Sequence, residues 1–196
     1  MAIQVLLACL FCYLVGSIPF SYIVAKKAKG IDIRQLGEGN VGARNVWHLV
    51  GKKYGVIASL LDFAKGLFAY FIGLLLSLGP WWIWLCGFSV VLGHDFPIFL
   101  KGRGGKGAAC AMGFLMGMQP LLILIAGVII GLIYFPTRMF HLAVGTGFAS
   151  VLILWRLLLK KPWPEILLLV SFLLLLGLKR LIDEPYMRKI KQVSGW

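Results

Sequence analysis

The 196-residue chain is 60% apolar and only 14% charged, and it has a formal net charge of +13. A soluble domain carries about a quarter charged residues, so this composition excludes a globule in water and predicts an integral membrane protein. The positive charge would suit nucleic acid, but cationic inside loops explain it more simply in a membrane protein. We therefore expect membrane lipid as a partner and no nucleic acid.

Five apolar stretches have about the 20 residues that a helix needs to cross a bilayer core. Residues 107–137 are harder to interpret, because they are long for one crossing and short for two. Pro120 near their middle favours the start of a second helix there. The five clear spans are residues 3–25, 56–78, 81–100, 141–159 and 165–182.

The distribution of Lys and Arg indicates how often the chain crosses the membrane. If residues 107–137 cross twice and the N-terminus is outside, sixteen cations lie inside and three outside. A single crossing would change these numbers to 13 and six. The positive-inside bias therefore favours an all-α protein with about seven transmembrane helices, N-terminus outside and C-terminus inside. The alternative is a re-entrant segment at 107–118. We expect one integral membrane domain over residues 1–196.

A glycine-rich loop at residues 101–107 has the residue types that bind phosphate. Glycines let the backbone turn N–H groups toward an anion, and a helix is expected to begin just after the loop. No strand surrounds it and no Ser or Thr follows its last lysine, which excludes dinucleotide and Walker A sites. The alternative is a flexible basic loop at the lipid headgroups. The candidate phosphate ligands are Lys101, Arg103, Gly104, Gly105, Lys106 and Gly107.

A second glycine-rich loop, at residues 37–45, contains three glycines and two asparagines. The Asn40 and Asn45 amides could shape a site, and Arg44 could bind phosphate through two hydrogen bonds. The alternative is an ordinary turn-rich connection between helices.

Three further groups of polar residues lie in or beside the apolar stretches. Asp62 and Lys65 are three residues apart and share a helix face, which we interpret as a structural ion pair. His94 and His141 lie at helix ends, where a histidine can be a base or a phosphate ligand. No general base can be assigned among them and His48. The histidines are far apart in sequence and no carboxylate cluster accompanies them, so no metal site is expected.

Taken in order, these residues resemble the motifs of the acyl-phosphate–glycerol-3-phosphate acyltransferases, the PlsY family of bacterial inner membranes. The resemblance extends along most of the chain. The matches are Gly16-Ser17-Ile18-Pro19; Gly37, Gly39-Asn40, Gly42-Ala43 and Asn45 in the family's GSGNxGATN; Asp62 with Lys65-Gly66 in DxxKG; and Gly93-His94, Pro97, Phe99 and Gly104-Gly105-Lys106-Gly107 in GHxxPxF and GGKG.

The resemblance implies seven spans and transfer of a fatty acyl group from acyl phosphate to glycerol 3-phosphate, giving lysophosphatidic acid for phospholipid synthesis. It implies no cofactor, and an active face on the cytoplasmic side of the bacterial inner membrane. The expected partners are acyl phosphate, glycerol 3-phosphate and membrane lipid. The expected catalytic residues are His94, Lys106 and Asn45; the expected substrate-binding residues are Asn40, Arg44, Lys101, Arg103, Gly104, Gly105, Gly107 and His141.

Several positions that the resemblance would assign to binding of the acceptor, glycerol 3-phosphate, depart from the family pattern. Glu38 and Arg44 replace a serine and a threonine, and His48 and His141 replace an arginine and a serine. Residues 177–184 lack the usual histidine and asparagine motif. A carboxylate at Glu38 would repel phosphate unless it pairs with Arg44. The alternative function is therefore a non-catalytic paralogue that binds acyl phosphate or anionic lipid. A transporter is less favoured, because the polar residues gather at one end of the spans.

Overall fold

The structure, a computed structural model, describes residues 1–195, and these residues are organised as α-helices joined by loops. A short 3₁₀ turn, Ile98–Leu100, follows the fifth helix. The helices are α1 Ala2–Ser17, α2 Phe20–Lys29, α3 Ala43–Leu49, α4 Lys52–Leu75, α5 Pro80–Asp95, α6 Ala108–Met118, α7 Pro120–Thr137, α8 Phe140–Leu157 and α9 Trp163–Ser194.

Within residues 1–195, five helical segments are long and apolar enough to cross a membrane, which confirms the all-α membrane class. Large apolar side chains such as Leu6 and Leu132 are exposed on these helices, where lipid chains would cover them. The five segments are Ala2–Lys29, Lys52–Leu75, Pro80–Leu100, Pro120–Thr137 and Phe140–Leu157.

The structure divides residues 107–137 into two helices, as Pro120 predicts. The helix α6 ends at Met118 and α7 begins at Pro120, because proline fits the first turn of a helix, where its missing N–H is not needed. The predicted span 165–182 lies within α9, a 32-residue helix that continues into a charged C-terminal part. The count of seven crossings and the orientation of the termini stay predictions.

The first span contains a break that the sequence analysis missed. Residues 3–25 were predicted as one helix, but α1 ends at Ser17 and α2 begins at Phe20. Ile18 adopts an extended conformation, which is favoured before a proline, and Pro19 has no N–H to continue the helix. The Lys65 ammonium donates to the carbonyl oxygens of Gly16 at 2.8 Å and Ile18 at 3.0 Å. A side chain from α4 therefore supplies the hydrogen-bond donor for the carbonyl groups at the break.

The residues fall into two compact units, Met1–Phe114 with Leu176–Trp196, and Leu115–Leu175. In the first unit α1 packs along α5 through glycines that have no room for a side chain. A Cβ on Gly16 would meet the backbone of Val90, and one on Gly93 would meet the Tyr13 carbonyl. These close contacts bring the helix backbones together near the break after α1.

An apolar cluster in the first unit supports the loops that follow α2 and α5. It joins side chains from α2, the loop after it, α3 and α4 to the end of the 3₁₀ turn. The loops are thus fixed on a packed base. The cluster consists of Ala25, Ile33, Val41, Val46, Ala58 and Leu100.

In the second unit α7 packs against α8, again at a glycine. A Cβ on Gly147 would meet the side chain of Ile130. Val151 and Trp155 on α8 and Phe172 on α9 are fully buried. That the whole chain forms one membrane domain stays a prediction.

We expect Gly66→Ala to destabilise the protein, whereas Gly145→Ala does not. Both glycines lie inside helices, so the gain in helix propensity is similar, but only Gly66 packs against another backbone, the Cys110 carbonyl. Overpacking of this kind costs about 1–3 kcal/mol. Thermal unfolding in detergent micelles measures the difference, and equal midpoints for the two variants would contradict the packing seen at Gly66.

Candidate functional site

The Asn45 side chain holds the loop of residues 37–45 in shape. Its amide nitrogen is within hydrogen-bonding distance of the carbonyl oxygens of Ile33, Leu36 and Asn40, at 2.9–3.1 Å, and its oxygen accepts from the Glu38 N–H at 3.0 Å. Asn45 is completely buried. These contacts support a scaffold role, and its catalytic role stays a prediction.

Glu38 and Arg44 form an ion pair. Without this pairing the Glu38 carboxylate would repel a phosphate bound nearby. The Arg44 Nη1 lies 3.2 Å from the Glu38 Oε1, and the carboxylate is buried while the guanidinium is about one third exposed. The buried charge of Glu38 is thus compensated within the loop. Asn40 is also buried, and its Oδ1 has no hydrogen-bond partner among the described residues.

The loop of residues 101–107 is attached to the end of α5 by two backbone hydrogen bonds. The Gly104 N–H donates to the Asp95 carbonyl at 3.2 Å, and the Gly105 N–H donates to the His94 carbonyl at 3.1 Å. A Cβ at Gly104 would meet the His94 carbonyl, and one at Gly105 would meet the His94 Nε2. Both amides are therefore paired with the end of α5, and the role of Gly104 and Gly105 in binding phosphate stays a prediction.

Asp62 and Lys65 form the predicted ion pair, with 3.0 Å between Oδ1 and Nζ, and both are buried. The structure adds two contacts that the spacing did not indicate. The His94 Nδ1 lies 3.4 Å from the same Asp62 oxygen, and the Ser21 hydroxyl donates to the other oxygen at 3.1 Å. Helices α2, α4 and α5 therefore meet at one carboxylate.

Lys106 lies among charged groups from three segments of the first unit. Burial lowers the pKa of its ammonium, the Glu38 carboxylate opposes that shift, and Arg180 and Arg44 add to it. A cation that is partly desolvated beside other cations attracts a doubly charged anion strongly. Because the Glu38 and Asp183 carboxylates also act on Lys106, its role as a phosphate ligand stays a prediction.

A cavity of about 220 Å³ lies beside the two glycine loops and the C-terminal part of α9. Arg103 is one of its cations, and its guanidinium lies over the Tyr186 ring at 4.9 Å. The Tyr186 hydroxyl donates to the Arg34 carbonyl at 2.9 Å. The lining residues are Arg34, Gly39, Val41, Arg103, Gly104, Asp183 and Tyr186.

Other predicted residues lie apart from these contacts or in the other unit. Lys101 is exposed at the end of the 3₁₀ turn, and Gly107 has the left-handed φ of +69° just before α6. His48 is exposed on α3. His141 is exposed at the start of α8 in the second unit, with its ring 5.6 Å from that of Phe140.

Several residues around the site are not predicted from the sequence. Arg34, Tyr186 and Asp183 line the cavity but belong to no motif with a recognised chemistry, so only the fold could bring them there. Lys179 is buried and binds Asp183 at 2.7 Å, which a spacing of four residues on a helix allows. Within residues 1–195, no three His, Cys, Asp or Glu side chains form a group that could hold a metal ion.

These features define a helical integral membrane protein in which two glycine loops and two arginines border a cavity. A family profile described as "Glycerol-3-phosphate acyltransferase" matches residues 6–183. The chain belongs to this glycerol-3-phosphate acyltransferase family.

Curated relatives with that name come from several bacteria. The protein of Thermotoga petrophila is 50% identical over 103 residues, which is 53% of each chain. The protein of Macrococcus caseolyticus is 38% identical over 139 residues, 71% of each chain, and that of Geotalea daltonii is 39% identical over 149 residues, 76% of each. The Thermotoga alignment thus spans about half of that relative.

Solved structures agree over a longer part of the chain. The crystal structure of PlsY, an integral membrane glycerol 3-phosphate acyltransferase, in its glycerol 3-phosphate form is 32% identical. It superposes with a TM-score of 0.82 and covers 97% of this chain and 92% of that one. The lysophosphatidic acid form of PlsY gives a TM-score of 0.80 at 31% identity.

The pairing of Asp32 with Arg34 should make stability depend on pH in the acid range. The Arg34 guanidinium, 2.6 Å from the Asp32 carboxylate, lowers the pKa of Asp32. A lowered folded-state pKa gives stability that is present above the unfolded value, about 3.9, and is lost as the pH falls through the folded value. Because both side chains are partly exposed, the contribution is at most about 1 kcal/mol.

We therefore expect Asp32→Asn to melt below wild type at pH 7, with the difference closing as the pH falls below about 4. Melting temperatures of both proteins in one detergent, measured across that range, give the comparison. A difference that stays constant at every pH would contradict the ionic origin of the effect.

Proposed function

We propose that this protein transfers a fatty acyl group from acyl phosphate to the 1-hydroxyl of glycerol 3-phosphate, giving lysophosphatidic acid for phospholipid synthesis. The observation that carries the proposal is the cavity beside the two glycine loops, with Arg34 and Arg103 in its wall. The matching PlsY structures, a glycerol 3-phosphate form and a lysophosphatidic acid form, support this choice of acceptor and product. The altered residues at the acceptor positions motivated the non-catalytic alternative, but these matches do not favour it.

The reaction needs positioning and charge neutralisation more than activation of the acyl donor. The acceptor hydroxyl oxygen bonds to the acyl carbonyl carbon while the bond from that carbon to the phosphate oxygen breaks. The hydroxyl proton ends on the inorganic phosphate that leaves. Acyl phosphate is already a mixed anhydride, so cations at the phosphate and correct alignment can supply much of the rate.

The predicted residues divide by the charge and contacts that they bring to this reaction. Lys106 is the proposed cation for the phosphate, and the charged groups around it are Glu38, Arg180, Arg44 and Asp183. Arg103 contributes through the cavity wall. His94, whose Nε2 packs against Gly105, stays a predicted catalytic residue. Roles for Lys101, Asn40, Asn45, Gly107 and His141 stay predictions.

We place the protein in the bacterial inner membrane with its glycine loops at the cytoplasmic face. The membrane-spanning helices and the bacterial relatives support the first point. The excess of Lys and Arg in the segments between residues 26 and 53 and at 101–106 supports the second. Glycerol 3-phosphate, a soluble anion, would then enter from the cytoplasm while the acyl chain lies among the helices.

Purified protein in detergent or lipid should release inorganic phosphate from acyl phosphate only when an acceptor is present. We expect one lysophosphatidic acid for each phosphate released with glycerol 3-phosphate, and little product with glycerol. Phosphate assay and mass spectrometry of the lipid fraction measure the two products. A folded preparation that binds acyl phosphate without any transfer would reject the proposal and support the non-catalytic paralogue.

Replacing Lys106 by Met should lower kcat/KM for the transfer by about 10²-fold, the loss typical of one preorganised charge-stabilising donor. The matched control is Lys160→Met, because Lys160 is an exposed lysine between α8 and α9, outside the proposed site. Steady-state phosphate release gives both values, and equal activity of the two variants would contradict a role for Lys106 at the phosphate.

A further inference from the structure

A cluster of lysines lies where two membrane-spanning segments meet their polar ends, apart from the proposed site. The segment Ala2–Lys29 ends on three of these lysines, and the segment Lys52–Leu75 begins on the other two. All five side chains are exposed, and within residues 1–195 none of them forms an ion pair with a carboxylate. The lysine cluster consists of Lys26, Lys27, Lys29, Lys52 and Lys53.

Helix packing joins the two groups of lysines into one surface. The Lys29 ammonium donates to the Leu49 carbonyl at 2.7 Å, at the end of α3 and just before α4 begins. Helices α2, α3 and α4 also share the apolar cluster that includes Ala25, Val46 and Ala58. The lysines at the end of α2 therefore lie beside the first turn of α4, although they are far from it in the chain.

Two aromatic side chains mark this surface as the edge of the membrane. Trp47 on α3 packs on the start of α4, where a Cβ on Gly55 would meet the Trp47 Cβ. Trp47 and Tyr54 are each a little over one third exposed, and Trp and Tyr gather at the level of the lipid headgroups. Val56 and Leu60, further along α4, are exposed and apolar. The lysine cluster thus lies at the boundary between headgroups and lipid chains.

The acidic residues in this part of the chain do not neutralise the lysine cluster. Between residues 26 and 53 the acidic residues are Asp32 and Glu38, and each is paired with an arginine of its own loop. The first turn of α4 contains no acidic residue. The five ammonium groups therefore leave a local positive charge that an anion can complement.

The position of the lysine cluster indicates which anion it fits. Four or more cations directly beside the end of a membrane span attract anionic lipids, with each lysine contributing about fivefold to the affinity. The positive-inside bias requires lysines in such a segment but no fixed arrangement of them. Here the bond from Lys29 to Leu49 and the packing of Trp47 on α4 do fix the arrangement.

We propose that the lysine cluster binds the phosphate groups of anionic phospholipids in the leaflet that it faces. The lipid phosphate lies among the lysines, its headgroup beside Trp47 and Tyr54, and its acyl chains along the exposed apolar face of α4. The bound lipid thereby holds the ends of α2 and α4 at the membrane surface. This inference goes beyond acyl transfer and does not depend on it.

Lipid binding to the purified protein in a non-ionic detergent tests the proposal. Titrations followed by native mass spectrometry compare phosphatidylglycerol with phosphatidylcholine of the same acyl chains. We expect wild-type protein to prefer phosphatidylglycerol, with a preference that falls as the ionic strength rises. Lys52→Gln combined with Lys53→Gln should weaken phosphatidylglycerol binding at least about tenfold, because two of the five charges are lost.

Two further double variants serve as matched controls. Lys52→Arg combined with Lys53→Arg keeps both charges and should bind phosphatidylglycerol as wild type does. Lys160→Gln combined with Lys161→Gln removes the same charge from the segment between α8 and α9, and should stay within about twofold of wild type. Melting temperatures check that each variant is folded. If the first glutamine variant does not fold, Lys26→Gln combined with Lys27→Gln takes its place.

Three results would overturn the proposal. The first is equal binding of the two lipids to wild-type protein, and the second is an equal loss of binding when the charges of Lys160 and Lys161 are removed. The third is displacement of phosphatidylglycerol by the same concentration of inorganic phosphate, which would make the lysine cluster a site for soluble phosphate. None of these measurements uses turnover, so a failure of the proposed acyl transfer is distinguishable from a failure of this inference.

Discussion

The contact on which the site depends is the one between Lys65 and the end of α1. Pro19 stops the first helix inside an apolar region, and the freed carbonyl groups would be costly there without a donor. Lys65 supplies that donor, and the same ammonium neutralises Asp62. The Lys65 side chain therefore satisfies the carbonyl groups at the helix break and holds α1 close to α4. It also holds in place the Asp62 carboxylate, which faces His94.

Close backbone contacts at glycines bring the loops to this network. Gly16 and Gly93 let α1 and α5 touch, and Gly104 and Gly105 let the loop of residues 101–107 lie directly on the carbonyl end of α5. A side chain at any of these four positions would overlap neighbouring atoms. Gly104 and Gly105 thus allow the loop to pack closely on α5. The positive charge at the site comes from Lys106, Arg103 and the arginines around them.

Glu38 and Arg44 show how a departure from a family motif can be compensated. By itself, a carboxylate in a phosphate-binding region opposes the ligand. Here Arg44 pairs with it at 3.2 Å while staying about one third exposed, and Lys106 lies in the field of both. The loop of residues 37–45 keeps its shape because Asn45 binds four backbone groups around it. The paired substitutions change the local charges and leave the scaffold intact.

By itself, the sequence determined the membrane class, the approximate spans, the helix start at Pro120 and the ion pair of Asp62 with Lys65, because composition, length and helical spacing are local properties. It also pointed to both glycine loops. Only the tertiary structure decided that the Gly104 and Gly105 amides are already paired, that His94 meets Asp62, and that Arg34 and Tyr186 share a cavity with Arg103. These contacts join residues far apart in the chain, and no local pattern encodes which side chains helix packing brings within hydrogen-bonding distance.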